Sequence, residues 1–383
     1  MSVGSLRNRL QQLLSLADVR IDGDRPWDLQ VDDDRFYARV LAQSSLGLGE
    51  SYMDGWWRTQ SLDGLLFRLL NADVDRRVHT WSEIWDGLRS HLVNLQSRRR
   101  SFTVGERHYD LGNDLYRAML GQRLVYSCGY WHGRDGQPLD DLDSAQEAKL
   151  DLVCRKLGLK PGMKVLDIGC GWGEALKFAA ERYGISGVGV TVSREQAQYA
   201  RELCAGLPIE IQLQDYRALG AGSDGARFDR VFSLGMFEHV GVKNYRTYFE
   251  VARRCLADDE GVFLLHTIGS NRSVHHTDPW IARYIFPNSM LPSVEQIAKA
   301  SEGLFVMEDW HNFGTDYDRT LQAWWANVER AWPQLDARYD ERFRRMWRFY
   351  LAGSMASFRS RHNQLWQVVL SPKGLAGGYL APR

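Results

Sequence analysis

Two patterns of apolar residues divide the sequence. Near its start, apolar side chains recur three and four positions apart, as in Leu62, Leu65 and Leu69, which is the spacing of an amphipathic helix. Further along, short apolar runs alternate with helical segments, which is typical of a parallel sheet covered on both faces. The pattern predicts a small helical domain, residues 1–105, followed by a larger α/β domain, residues 106–383.

Seven strands are predicted in the second region. They are 164–168, 187–192, 209–214, 228–233, 262–268, 305–312 and 365–370. Strands in this rhythm predict a Rossmann-like domain. Long insertions, residues 269–302 and a helical stretch at 318–361, follow the fifth and sixth strands. Insertions at the carboxyl ends of strands commonly shape a substrate site.

Charge and composition exclude several classes of protein. The 383 residues contain 48 Lys and Arg and 48 Asp and Glu, and this balance argues against nucleic acid as a partner, because phosphate binding requires a cationic surface. No apolar run approaches the roughly 20 residues of a membrane-spanning helix. Residues 1–20 lack the continuous apolar segment of a signal peptide, so we expect a cytoplasmic protein. Five widely spaced cysteines predict neither disulfides nor a bound metal.

A glycine-rich turn carries the strongest candidate chemistry. Residues 165–174, VLDIGCGWGE, place a strand before Gly169, Gly171 and Gly173 and a helix after them. Glycine lets the backbone turn tightly and approach a ligand closely, since it has no Cβ atom. Asp167 would repel a pyrophosphate but can accept a hydrogen bond from an ammonium group. The motif therefore favours a nucleoside with a charged amino-acid tail over a dinucleotide, although a turn without any ligand could carry the same glycines.

The following strands end in polar residues with two possible roles each. The second strand lacks the acidic residue that commonly binds ribose hydroxyls. Ser193 and Gln196 have the spacing of a capping box, while Thr191 and the Gln196 amide could also reach a ligand. Asp215 follows the third strand and either accepts a hydrogen bond from an adenine amino group or belongs to a surface turn.

Motifs spread over nearly the whole chain go beyond a generic nucleoside site. They are 45–57 (SLGLGESYMDGWW), 108–114 (HYDLGND), 126–128 (YSC), 235–241 (GMFEHVG), 264–269 (LLHTIG), 284–287 (YIFP) and 309–314 (DWHNFG). With these motifs the sequence resembles the cyclopropane-fatty-acyl-phospholipid synthases, which use S-adenosylmethionine to modify unsaturated acyl chains of membrane lipids. The resemblance implies a Rossmann-like, seven-stranded class I methyltransferase domain with a small N-terminal helical domain and helical insertions over the active site.

The resemblance also assigns roles to individual residues. It implies cofactor contacts at Tyr126, Ser127, Gly169, Gly171, Thr191, Gln196, Asp215 and Tyr216, beside Asp167 and Gly173 of the glycine turn. It implies a bicarbonate ion held by the catalytic residues Cys128, Glu238, His266, the backbone of Ile268 and Tyr317. Taken singly, each catalytic candidate could instead be an ordinary packed residue. Their joint presence in matching contexts favours the functional interpretation.

The implied reaction is cyclopropanation of cis-unsaturated acyl chains of membrane phospholipids. Methyl transfer from S-adenosylmethionine leaves a carbocation, and loss of a proton from the added methyl group to bicarbonate closes the ring. A carboxylate would repel bicarbonate, so we hypothesise that Glu238 shares a proton in the site. A lipid methyltransferase with a methyl-branched product is the alternative enzyme, and a lipid-binding regulator with a vestigial site is the alternative of another class.

A phospholipid substrate requires peripheral contact with the inner face of the membrane. Residues 341–350, ERFRRMWRFY, predict a helix with an apolar face and a basic face, which suits either an anionic lipid surface or an ordinary domain helix. The basic run 97–100 is a weaker candidate for membrane contact. Residues 351–355, LAGSM, lack the cysteine of some relatives, which excludes a nucleophilic thiol there. The family also suggests a homodimer, with lipid handling by the helical domain.

Overall fold

The computed structural model describes residues 2–74, 113–220, 227–257, 260–274, 276–335 and 338–383. The predicted domain boundary at 105/106, the basic run 97–100 and most of the motif 108–114 lie outside the described residues.

Helices account for much of the described chain. They are α1 (Val3–Ser15), α2 (Arg35–Met53), α3 (Leu62–Asn71), α4 (Asn113–Leu120), α5 (Leu142–Lys156), α6 (Glu174–Tyr183), α7 (Arg194–Leu203), α8 (Tyr245–Cys255), α9 (Pro279–Tyr284), α10 (Val294–Ser301), α11 (Thr315–Ala331) and α12 (Glu341–Arg359). Side chains stabilise several helix starts. The Asp141 carboxylate, for example, accepts a hydrogen bond from the Ser144 amide before α5.

A seven-stranded sheet forms the centre of the α/β region. Its strands are β3 (Lys164–Ile168), β4 (Ser186–Thr191), β5 (Ile209–Leu213), β6 (Arg230–Leu234), β7 (Val262–Ser270), β8 (Val306–Asn312) and β9 (Asn363–Ser371), in the order β5-β4-β3-β6-β7-β9-β8. Neighbours from β5 to β7 pair in parallel, and β8 pairs antiparallel with β9. The prediction of a Rossmann-like α/β fold with seven strands is confirmed. Near the start of the chain, β1 (Gln30–Val31) and β2 (Trp57–Arg58) form a short antiparallel pair that the sequence did not predict.

Alternating side chains of the central strands build two hydrophobic cores, one on each face of the sheet. Leu166 and Ile168 belong to one core, while Val165 belongs to the other. On β7, Phe263 packs into the first core and Leu264 into the second. These side chains are fully buried, as expected for parallel strands covered by helices on both faces.

The chain forms two compact units that differ from the predicted domains. The first contains the described residues among 1–93, 275–287 and 321–363, and the second contains those among 94–274, 288–320 and 364–383. The prediction assigned 275–287 and 321–363 to the α/β domain, but their helices pack with the N-terminal helices. Helix α12, for example, packs along α2 and α3.

Helix α12 is an ordinary domain helix by its contacts within the first unit. Its apolar face is buried, with Trp347 completely inaccessible to solvent. On its basic face, Arg345 donates hydrogen bonds to two backbone carbonyls, those of Tyr52 and Trp57. Arg348 pairs with Glu329 through two hydrogen bonds of 2.7 and 2.8 Å. Arg345 and Arg348 are therefore hydrogen-bonded to polar groups within the first unit. This favours an ordinary domain helix over a helix that docks on a membrane.

All five cysteines are free thiols in buried positions. Burial raises the pKa of the Cys204 thiol to about 11. Across the described ranges, no group of His, Cys, Asp and Glu side chains is arranged to hold a metal ion. None of the helices in the described part of the chain has the length and hydrophobicity needed to cross a membrane.

Candidate active site

A cavity in the second unit opens where the parallel strands end. Its lining includes 124–127, 167–172, 174–175, 190–193, 196, 214–217, 234–236 and 239–240. Every residue predicted to contact the cofactor lines this cavity, apart from Gly173. Ligands of open parallel sheets bind at the carboxyl ends of the strands, so the cavity lies where a nucleoside is expected.

Two glycines of the turn, Gly171 and Gly173, have different structural roles. All three have positive φ angles, +95° at Gly169, +53° at Gly171 and +90° at Gly173. A Cβ atom on Gly171 would meet no atom within 4 Å, so this glycine faces open space. A Cβ atom on Gly173 would instead approach Ala200 to 3.0 Å. Gly171 therefore lets the backbone approach a ligand, whereas Gly173 allows close packing of α6 against α7.

Asp167 lines the cavity and has a deeply buried carboxyl group. The side chain is 2% exposed, and within the described residues its Oδ1 atom accepts no hydrogen bond. Burial raises the pKa of this carboxyl well above its usual value. A buried acceptor without a partner is costly, and a ligand with an ammonium group would remove that cost.

The polar residues after β4 bond mainly to one another. The Thr191 hydroxyl donates to Gln196 Oε1 at 3.1 Å and accepts from the Ser193 amide at 3.2 Å. Ser193 Oγ caps α7 by accepting from the Gln196 amide. Only half of the predicted capping box is therefore formed, because the Gln196 side chain turns to Thr191 at the cavity wall.

Asp215 already has strong partners within the chain. Its carboxylate pairs with the Arg217 guanidinium at 2.6 Å and also accepts a hydrogen bond from the Arg217 amide. This arrangement combines the predicted turn with a position on the cavity wall. The neighbouring Tyr216 lines the cavity with its ring and packs edge-on against Tyr248 at 5.3 Å.

Helix α5 holds the loop that carries Tyr126, Ser127 and Cys128, a role that the sequence analysis missed. Gln146 Nε2 donates to the Ser127 carbonyl at 2.8 Å, and the buried Lys149 Nζ donates to Ser127 Oγ at 3.0 Å. The sequence did contain a signal for this contact, because Gln146 and Lys149 lie on the face of α5 that is otherwise occupied mainly by buried apolar side chains. Lysine is almost never fully buried without a partner, so this position indicates a specific contact.

Two of the predicted catalytic residues contact each other. Glu238 lies in a 3₁₀-helix just after β6, and its Oε1 accepts a hydrogen bond of 2.7 Å from the Ile268 amide on β7. The predicted anion-binding amide is thus occupied by Glu238. The other carboxylate oxygen, Oε2, has no partner among the described residues. Burial raises the pKa of Glu238 to about 7, so the carboxyl can exchange a proton near neutral pH.

His266 lies two residues before Ile268 on β7 and is 1% exposed. Its Nδ1 atom is 3.3 Å from the Gln367 amide nitrogen on β9, a partner that the sequence analysis did not identify. Burial lowers the pKa of His266 well below its usual value, which favours the neutral ring. With Gln367 Nε2 as the donor, Nδ1 accepts and Nε2 carries the ring proton. Nε2 has no partner within the described ranges.

Helix α11 also forms hydrogen bonds with the loop that carries Cys128. Thr320 Oγ1 accepts hydrogen bonds from the Gly129 amide at 3.1 Å and the Trp131 indole at 3.0 Å. Asp316 accepts one from the Trp131 amide at 2.8 Å. The same helix carries Tyr317, which is 8% exposed. The fold therefore links the elements that carry Cys128 and Tyr317, although neither these two residues nor Glu238, His266 and Ile268 line the cofactor cavity itself.

Residues adjacent in sequence to the predicted catalytic residues line the cavity. Ser127 and His239, which are adjacent to Cys128 and Glu238, both line it. The amide of Gly235, another lining residue, donates to the His266 carbonyl at 2.9 Å. Cys128, Glu238 and His266 are therefore each adjacent in sequence or hydrogen-bonded to a residue of the cavity wall.

Comparisons with known proteins agree with this geometry. Residues 96–368 match the family model described as mycolic acid cyclopropane synthetase. The cyclopropane-fatty-acyl-phospholipid synthase of Escherichia coli K12 is 51% identical over 373 residues, which cover 97% of this chain and 94% of that protein. A probable fatty acid methyltransferase of Pseudomonas putida is 37% identical and covers 81% of this chain and 80% of its own length.

A solved structure extends the likeness to three dimensions. It is the crystal structure of mycolic acid cyclopropane synthase CmaA1 complexed with SAH and CTAB, with a TM-score of 0.62 and 32% identity over 70% of this chain and 97% of that one. The family model covers more than half of this chain, and the Escherichia coli relative matches nearly all of it. The chain therefore belongs to the cyclopropane synthase family of S-adenosylmethionine-dependent enzymes.

Proposed function

We propose that this enzyme converts cis-unsaturated acyl chains of membrane phospholipids into cyclopropane acyl chains, with S-adenosylmethionine as methylene source and bicarbonate as base. The observation that carries the proposal is the placement of two buried polar atoms without partners among the described residues. Glu238 Oε2 lies just after β6, which ends at the cofactor cavity, and His266 Nε2 lies on the neighbouring strand β7. The phospholipid substrate is the one named for the Escherichia coli relative.

The residues of the cavity fit the cofactor's chemistry. S-Adenosylmethionine would supply an electrophilic methyl group when bound. The space beside Gly171 leaves room for the part of the cofactor that lies against the protein backbone. The Asp167 oxygen without a partner among the described residues suits the cofactor's ammonium group. Apolar and aromatic walls, including Trp172 and Tyr216, would cover the nucleoside and exclude water from it.

The two buried polar atoms have the hydrogen-bonding chemistry that a small oxyanion with one proton requires. Bicarbonate would supply a base that removes a proton from a cationic acyl chain. The His266 Nε2–H can donate to an anion, while Glu238 Oε2 can accept the ion's own proton. The Glu238 pKa of about 7 lets this carboxyl hold or release a proton near neutral pH. Glu238 would therefore orient the base rather than repel it.

Peripheral contact with the inner face of the membrane belongs to the proposal, because the acyl chain must leave the bilayer to reach a buried site. A homodimer is proposed as well, on the family resemblance alone. Vesicle flotation in the presence and absence of salt would test the membrane contact, and sedimentation would test the dimer.

The direct test is a reaction with vesicles of monounsaturated phospholipid and methyl-labelled S-adenosylmethionine, with and without added bicarbonate in degassed buffer. We expect label in acyl chains that co-elute with a cyclopropane standard, formed faster with bicarbonate. Chromatography is required, since a cyclopropane chain and a methyl-branched alkene have one formula. A branched product would establish the alternative that the Pseudomonas putida relative suggests, and absence of label in lipid would overturn both.

Replacing Asp167 by Asn tests the cofactor's position. The change removes the negative charge opposite the proposed ammonium group, so we expect the dissociation constant for S-adenosylmethionine to rise about tenfold or more. Calorimetric titration measures it. Asp229→Asn is the matched control, because Asp229 accepts a hydrogen bond from the Lys164 amide at the opposite end of β3. Equal affinities of the Asp167 variant and the wild type would contradict the proposed position.

A further inference from the structure

Lys149 is a buried lysine in contact with a residue of the cofactor cavity. Its side chain lies on the inward face of α5 and has no solvent-accessible surface. Its Nζ atom donates to Ser127 Oγ at 3.0 Å, and Ser127 lines the cavity whereas Lys149 does not. Any effect of this lysine on a bound cofactor must therefore pass through Ser127 or through its electrostatic field.

The hydrogen-bonding capacity of the pair determines what Ser127 can offer. A protonated lysine has three donors and no acceptor, so the Ser127 hydroxyl can only accept from it. The hydroxyl's own proton then has to find another acceptor, and the cavity is the side on which a ligand can supply one. A neutral amine, in contrast, could accept that proton and turn the hydroxyl away from the cavity.

We propose that Lys149 is a positioning residue for the amino-acid tail of S-adenosylmethionine, which holds the Ser127 hydroxyl as a donor toward the tail's carboxylate. The inference rests on the proposed use of S-adenosylmethionine and extends it to a residue outside the cavity. Asp167, whose Oδ1 atom has no partner among the described residues, lines the same cavity and can accept a hydrogen bond from the tail's ammonium group. Lys149, acting through the Ser127 hydroxyl, suits the carboxylate of an α-amino acid, and Asp167 suits its ammonium group.

Groups from four neighbouring elements set the charge of Lys149. Asp167 and Glu174 favour its protonated form when they are ionised, whereas burial raises the pKa of the Cys128 thiol and keeps that thiol neutral. The lysine's charge in turn helps to lower the pKa of His266. Burial outweighs these groups and lowers the pKa of Lys149 to about 7. A bound carboxylate would raise this pKa again. Cofactor binding above pH 7 should therefore take up a proton, and affinity should fall as the pH rises through that range.

The test compares Lys149→Met with Lys156→Met in the full-length protein. Lys156 is a matched control, because it is a second buried lysine of α5, bonded to His311 rather than to a cavity residue. Binding is measured by calorimetry with two probes, S-adenosylmethionine and 5′-methylthioadenosine, which lacks the amino-acid tail. Each titration is run at pH 8 in two buffers of different ionisation enthalpy, which gives the number of protons taken up.

We expect Lys149→Met to weaken S-adenosylmethionine binding about 10- to 100-fold, to leave methylthioadenosine affinity unchanged, and to take up fewer protons than wild type. The free cofactor is the same in both titrations, so a difference in proton uptake reports the loss of Lys149 together with its effect on the Asp167 carboxyl. Lys156→Met should bind both probes as wild type does.

Equal losses for both probes, or unchanged proton uptake, would overturn the positioning role. Ser127→Ala provides a second route should Lys149→Met fail to fold, since it removes only the relay and should reproduce the tail-specific loss. A Ser127→Ala protein that binds S-adenosylmethionine like wild type would also overturn it. Failure of the wild type to bind S-adenosylmethionine would instead refute the proposed function.

Discussion

Replacing Glu238 by Gln is expected to lower the rate of lipid product formation by about a hundredfold or more, while the dissociation constant for S-adenosylmethionine changes by less than about twofold. Glutamine retains an oxygen that can accept the Ile268 amide hydrogen bond, so the local backbone should stay in place. It cannot share a proton with a bound base. The loss should therefore fall on turnover, measured by initial rates with labelled cofactor, and spare cofactor affinity, measured by calorimetry.

The matched control is Glu308→Gln. Glu308 accepts hydrogen bonds from the Ser371 hydroxyl and the Leu375 amide. This change should leave turnover near the wild-type value. A Glu238→Gln enzyme with full activity, or one whose loss is explained by weaker cofactor binding, would exclude the proton-sharing role.

Replacing Gly269 by Ala should produce the largest loss of stability. Gly269 is buried on β7, and a Cβ atom there would lie 1.9 Å from Cζ3 of the Trp366 indole. Trp366 is 2% exposed and belongs to a hydrophobic core, so it cannot move without repacking its neighbours. We expect the free energy of unfolding to fall by about 3 kcal/mol or more and the thermal midpoint by about 5 °C or more.

Gly353→Ala serves as the control for this substitution. Gly353 lies inside α12, where an added Cβ would meet its nearest neighbour, Leu66 Cδ1, at 3.9 Å. Alanine should stabilise this helix by about 0.5–1 kcal/mol, because glycine loses more backbone entropy on folding. Differential scanning fluorimetry of both variants measures the contrast. A Gly269→Ala protein that melts at the wild-type temperature would show that the indole can shift at little cost.

The sequence was sufficient to predict the sheet because each strand combines an apolar run with a turn signal. All seven predicted strands are present within two residues of their predicted bounds, as for β3 at Lys164–Ile168. The packing of 275–287 and 321–363 with the N-terminal helices was not predictable in this way. Helical periodicity shows that a face must be buried, but it does not specify which partner covers it.

The candidate site was predicted unevenly for a related reason. Gly171 and Asp167 are local features of one motif, and both line the cavity as expected. Lys149, Thr320 and Gln367 act through single hydrogen bonds to residues far away in sequence, and no local pattern encodes such contacts. The contact between Glu238 and Ile268 was hidden for the same reason, since it depends on the register of β6 beside β7.

The first compact unit is assembled from three separate stretches of chain, the last of which ends at Asn363. A ribosome must therefore deliver almost the entire polypeptide before the hydrophobic surface of α2 and α3 receives its covering helix α12. Until then the nascent chain carries an unsatisfied apolar face, which is the state that chaperones recognise and that favours aggregation. For the same reason, truncation before α12 would leave the N-terminal helices without their native neighbour, so a recombinant form that folds well has to keep these helices and α12 together.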